Sequence, residues 1–156
     1  MTGGADLANV GRAIVDANLY MTLATADAAG LPWPTPVYFA PASYRELVWV
    51  SRPEARHSQN IEARADVGIV VFDSRAPIST GQAVYMSASA GLVPPAELDR
   101  CLEVFSRSNQ DRGGPSWTAD DVGPAAHLRL YRAVASEQWV LDEHDRRVPV
   151  RLDLSP

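Results

Sequence analysis

Three prolines spaced two apart constrain this chain more than any other feature. Pro32, Pro34 and Pro36 alternate with Trp33, Thr35 and Val37. The stretch reads as a strand from Pro32 to Ala40, yet proline cannot donate to a ladder. Such a strand belongs at an edge or carries a bulge. An edge with free backbone groups can serve a ligand, or it can simply be a protected edge.

The neighbouring segments fit an antiparallel hairpin. Tyr20 to Ala26 is strand-like, and Asp27-Ala28-Ala29-Gly30 is a turn signal before the proline strand. Leu47–Val50, Asp66–Asp73, Gln82–Val93 and His127–Leu141 read as further strands, the last bent or interrupted near Ala133–Ser136. Val148 to Leu154 reads as a short final strand. Helical spacing of apolar residues predicts helices over Asp6–Leu19, Arg52–Ala65 and Pro95–Arg107. Ser108–Pro124 reads as a long polar loop. The expected fold is mainly β: an antiparallel barrel of six to seven strands with peripheral helices, forming a single domain over residues 1–156.

Charge and composition narrow the function. The 156 residues carry a net charge of −5, which argues against nucleic-acid binding. All 14 cationic side chains are arginine, so Schiff-base chemistry and a Walker-type lysine are excluded. Cys101 is the only cysteine, so no disulfide forms within the chain, and a cytoplasmic setting fits. The sequence shows neither a signal peptide nor a membrane span. His57, His127 and His144 lack the spacing of metal ligands. No nucleophile motif or carboxylate pair stands out, so no catalytic residue is assigned.

The chemistry concentrates where the third strand runs into the second helix. Ser51 and Glu54 have the spacing of a capping box, with Pro53 in the first helical turn. Ser51, Arg56, His57, Ser58 and Asn60 then crowd two turns beside the positive end of the helix dipole. This is where a phosphate would bind. His57, beside an arginine, is expected to be a weak cation. Trp33, Trp49 and Trp139 read as core residues of strands, or as walls for a planar cofactor. Gln82 reads as a polar anchor or a solvated strand end.

The segments Leu23-Ala24-Thr25-Ala26-Asp27, Thr35-Pro36-Val37, Arg56-His57-Ser58-Gln59-Asn60-Ile61, Val70-Val71-Phe72-Asp73 and Gly81-Gln82-Ala83-Val84-Tyr85 occur in a characteristic order. In that order the chain resembles the pyridoxamine 5′-phosphate oxidase-like FMN-binding split barrels, from about Tyr20 to Val93. The resemblance implies a homodimer with FMN at the subunit interface and an oxidoreductase acting on a small molecule, with no nucleic acid or membrane as partner. It implies that Thr35, Pro36 and Val37 line the isoalloxazine edge and that Val50 and Ser51 lie near the ring and ribityl chain. Arg56 and His57 would hold the phosphate, Gln82 would contact the ring, and Trp139 would be an aromatic near the flavin. Ala55, His57 and Ala88 depart from the family's usual Ser, Lys and Gly. The arginine/histidine pattern of the true oxidase is absent after Arg146. A deazaflavin in place of FMN, a non-enzymatic flavin or haem protein, and an empty barrel are the alternatives.

Overall fold

A computed structural model describes residues 4–153. The elements are α1 (Gly4–Ala17), β1 (Tyr20–Ala26), β2 (Pro32–Tyr38), β3 (Ala40–Pro41), β4 (Glu46–Ser51), α2 (Arg56–Ala63), β5 (Asp66–Phe72) and β6 (Ala83–Leu92). A 3-10 turn (Pro95–Glu97) follows, then α3 (Leu98–Asp111), α4 (Ala119–Val122), β7 (Arg129–Leu141) and β8 (Arg147–Pro149). The strands form one antiparallel sheet in the order β2-β1-β5-β6-β7-β4-β3, with β8 paired to β7. The sheet curls into a half-barrel.

The prolines explain one end of that order. β2 pairs with β1 along its whole length, from Tyr20↔Tyr38 to Ala26↔Pro32. Residues two apart point their N–H groups the same way, so the missing N–H groups of Pro32, Pro34 and Pro36 all fall on one side. The structure puts that side at the open edge of the sheet. The preceding turn is closed by Asp27, whose Oδ1 accepts the amides of Ala29 and Leu31 at 2.9 Å each. Gly30 sits there at φ +86°, a conformation glycine adopts without a steric cost.

β4 divides two cores. Leu47 and Trp49 face the barrel interior with Leu23, Val71, Val84 and Val140. Val48 faces the other way, into a second cluster with Cys101, Leu102 and Phe105 of α3. Burial on both faces is the reason this strand reads as an unbroken apolar run. Each fully buried side chain of this kind contributes about 1.5–3 kcal/mol. α1 plugs the barrel through Leu7 and Val15. Gly11 lets it approach closely, since a Cβ there would lie 2.7 Å from Leu152.

Several boundaries differ from the sequence reading. The proline strand breaks into β2 and β3 at Phe39, whose amide turns to Leu19 O, so the described residues form eight strands. β7 is bulged where expected: Ser87 pairs with Glu137 but Ala88 with Ala135, leaving Ser136 unmatched. The 108–124 segment is not all loop. α3 continues to Asp111, and α4 follows a capping box of Thr118 and Asp121. The last strand is only Arg147–Pro149, and Leu154 lies outside the described residues. No helix among the described residues is long and apolar enough to cross a membrane.

Candidate cofactor site

The expected capping box at the second helix does not form. Residues 52–55 make a turn, with Ala55 N–H donating to Arg52 O, and α2 starts at Arg56. Ser51 belongs to β4 instead, and the N-cap is Ala55, which has no side chain able to cap. The first helical bond is Gln59 N–H to Ala55 O at 3.0 Å. The amides of Arg56, His57 and Ser58 therefore have no acceptor within the helix. A helix end left without a side-chain cap keeps its donors and its dipole available to an anion.

Two side chains shape this end. Arg56 is exposed, and its guanidinium lies over the Trp33 ring, 4.3 Å from the centroid. It forms no ion pair with any described residue. His57 Nε2 sits 2.8 Å from Ser51 Oγ, which is itself buried. Burial pushes the His57 pKa down from its ordinary value of 6.5. The ring is thus a weak cation, as expected, but through desolvation rather than through the charge of Arg56. It is a polar neighbour and not a second positive charge at pH 7.

The remaining donors of the expected cluster point elsewhere. Asn60 is buried, and its Nδ2 donates to Thr25 Oγ1 at 3.0 Å. Thr25 Oγ1 in turn donates to Trp33 O at 3.2 Å. Ser58 is buried too, and its hydroxyl has no partner. It lines a cavity of about 490 Å³ together with Ile61, Leu92 and Tyr131, apart from Arg56.

On β2, Thr35 is half-buried and opposite Leu23, Pro36 is exposed, and Val37 is buried opposite Met21. Val50 is half-buried and packs into the α3 cluster. Gln82 precedes β6 and donates from Nε2 to Leu141 O at 3.3 Å. It lines a cavity with Asp142, Glu143 and Asp145. Trp139, half-buried in β7, lies opposite Tyr85 and lines a third cavity with Arg45 and Arg151. The register shows how far apart these are. Gln82 lies beyond the Phe72↔Ala83 pair, at the end of the sheet where β1 begins. Arg56 and Asn60 pack at Trp33 and Thr25, where β1 finishes. Five or six residues of strand separate the two ends, roughly 15–20 Å. Within one chain, Gln82 does not meet the α2 end, and Trp139 lies three strands away from β1, on the row of Tyr85, Val70 and Thr22.

Sequence reasoning gave Thr25 no role. It read Trp33 as core or as a wall for a planar cofactor, and the ring is 38% exposed and under Arg56. Trp49 is core, fully buried and stacked on Tyr131 at 5.9 Å. His127 and His144 are exposed.

An uncapped helix end, an arginine with no carboxylate partner and a neutral imidazole suit a phosphate ester, and an open-edged strand beside them suits a planar ring. A curled antiparallel half-barrel with these features is the architecture of the split-barrel proteins. The model of the pyridoxamine 5′-phosphate oxidase family matches residues 10–119, and the chain belongs to that family. None of the curated proteins matches it. Among solved structures, a haem-binding protein from Mycobacterium smegmatis is 15% identical with a TM-score of 0.74, over 96% of this chain and 58% of that one. This chain thus spans little more than half of that protein's length. The haem storage protein HutZ of Vibrio cholerae is 18% identical with a TM-score of 0.67, over 83% of this chain and 90% of that one. A conserved hypothetical protein from Mycobacterium tuberculosis is 20% identical with a TM-score of 0.65, over 93% and 88%. These likenesses establish the fold.

Proposed function

We propose that this chain binds FMN and acts as a flavin-dependent oxidoreductase on a small molecule. The observation that carries this reading is the uncapped N-terminus of α2, with Arg56 beside it and no carboxylate on its guanidinium. The amides of Arg56, His57 and Ser58 and the Arg56 guanidinium would hold the phosphate. The open edge of β2 would offer the Pro34 and Pro36 carbonyls to the ring system as acceptors, since proline has no N–H and the backbone groups of Thr35 and Val37 face β1. When bound, a flavin supplies the hydride or electron chemistry. The chain's part is to bind, orient and shield it.

The reading includes a homodimer with the site between two copies. In this reading Gln82 and Trp139, which make no contact with the α2 end of their own chain, would reach the flavin from a second copy. The outer face of the sheet supports such a contact. Tyr20, Ala24, Gly68, Val70 and Phe72 carry no charge, with Asp66 at one end of the face and Arg147 over the Tyr85 ring at another, and Tyr20 and Phe72 are exposed. Pyridoxamine phosphate itself is not the proposed substrate, because the arginine/histidine pattern of the oxidase is missing after Arg146.

A second reading is haem in place of flavin, favoured by two neighbours that are described as haem-binding and haem storage proteins. For it, His57 is the half-buried imidazole, with Nε2 engaged by Ser51. A deazaflavin would ask for further arginines by the phosphate. Of the candidates, Arg75 pairs with Asp73 on an exposed loop and Arg112 donates to Asn18 and Asp16 carbonyls, so only Arg52 stays close to α2.

The visible spectrum of the purified protein, followed by chromatography of what heat releases, separates these readings. Flavin bands and released FMN are the expected result. A Soret band would replace flavin with haem. A colourless protein that ignores added FMN would overturn the proposal and leave a deazaflavin or an empty barrel.

A further inference from the structure

We propose that Trp33 is the positioning residue of this site: its indole holds the Arg56 guanidinium flat, so that the in-plane N–H groups are presented to a phosphate monoester. The inference rests on the reading of α2 as a phosphate site.

The chemistry of the contact is specific. A guanidinium carries its five N–H donors in its plane and none on its face. A carboxylate partner would occupy the edge and use up those donors. A tryptophan ring occupies only the face. At 4.3 Å from the ring centroid, and with no carboxylate partner among the described residues, Arg56 rests on the ring and keeps its donors. An arginine free in solvent would lose its rotamer freedom on binding an anion, whereas here much of that freedom is already gone.

Trp33 is itself held firmly. Pro32 and Pro34 restrict the backbone on both sides. Trp33 pairs with Thr25 across the ladder. Its carbonyl accepts the Thr25 hydroxyl, and that hydroxyl accepts Asn60 Nδ2. Arg56 and Asn60 are four residues apart and share one face of α2. The helix therefore grips a single strand position twice, through the ring by Arg56 and through the backbone by Asn60. Burial does not account for the tryptophan, which is 38% exposed.

The test uses the full chain with three ligands: FMN, riboflavin and inorganic phosphate. Flavin binding is followed by fluorescence quenching and phosphate binding by equilibrium dialysis. Riboflavin lacks the phosphate, so the FMN-to-riboflavin affinity ratio isolates the anion site. Trp33→Leu is expected to lower that ratio roughly fivefold to tenfold, and Trp33→Tyr to restore most of it. An unchanged ratio in Trp33→Leu, or a Trp33→Tyr protein as weak as Trp33→Leu, would overturn the proposal. Should the leucine variant not fold, Trp33→Tyr against Trp33→Thr decides on the same ratio. A wild type that binds phosphate but not FMN, with phosphate lost in Trp33→Leu, would retain Trp33 and discard the flavin. A wild type that binds neither would overturn both.

Discussion

Two clusters of arginine in this molecule are built in opposite ways. Between α3 and the sheet, Arg100 and Arg132 are saturated with carboxylates. Arg100 makes two bonds to Glu46, at 2.8 and 3.1 Å, and a third to Glu97 at 3.0 Å. Arg132 reaches Glu46 at 3.2 Å and Glu97 at 2.5 Å. At the head of α2, Arg56 has an aromatic ring and no carboxylate. The first cluster is electrically closed and ties α3 to β4 and β7. The second keeps its donors open. Charge compensation, rather than arginine itself, separates a clamp from a binding site.

Substitution of Glu46 tests the clamp most severely. Glu46→Ala removes two charge-assisted bonds from Arg100 and one from Arg132, which keeps Glu97, and should destabilise the fold by about 2–3 kcal/mol. Thermal unfolding would show this as a drop on the order of 5–10 °C, with ligand binding at α2 unchanged. A loss of binding without a loss of stability would erase the distinction between the clusters.

Arg56→Ala is the mirror experiment. FMN affinity should fall about 10- to 100-fold, the scale of a charge-assisted contact. Stability should change by no more than about 1 kcal/mol, because the contact lies at the surface. Calorimetric titration beside thermal unfolding measures both.

The clamp also has an acid signature. Hydrogen bonds from Arg100, then from Arg132, hold the Glu46 carboxyl below its usual value of 4.5, against the opposing effect of burial. A depressed carboxyl pKa stabilises the folded state fully above pH 4.5, and the benefit fades as the pH falls through the folded value. Glu46→Gln should flatten the loss of stability below pH 4.5 in urea titrations at stepped pH.

His57 gives the smallest effect. Burial lowers its pKa, so the unfolded chain binds a proton more readily than the folded one just below pH 6.5. Stability should rise with pH up to about 6.5 and then level, and His57→Gln should remove that step. A step that persists in the variant would assign it to another group.

Much of the fold was legible because it depends on local rules. The proline alternation marked an edge or bulged strand, Asp27 and Gly30 made a turn, and the apolar run from Leu47 to Val50 marked a strand. The helix end was misread for a physical reason. Ser51 and Glu54 satisfy the spacing of a cap, but the continued pairing of β4 with β7 keeps Ser51 in the sheet, opposite Arg129. Its hydroxyl is then used by His57. In the same way, Asn60 looked like a phosphate donor until Thr25, 35 residues earlier, took its amide.

The sequence by itself determined that this is an antiparallel sheet with a proline strand fit only for an edge or a bulge, and an arginine near the start of its second helix. These follow from backbone donors, turn geometry and apolar periodicity, all short-range properties of the chain. Only the tertiary structure decided which arginines are neutralised, which helix donors remain free and which aromatic ring lies under Arg56. Those outcomes depend on partners far apart in the chain, and a charged or polar side chain acquires its role from the group that folding sets against it.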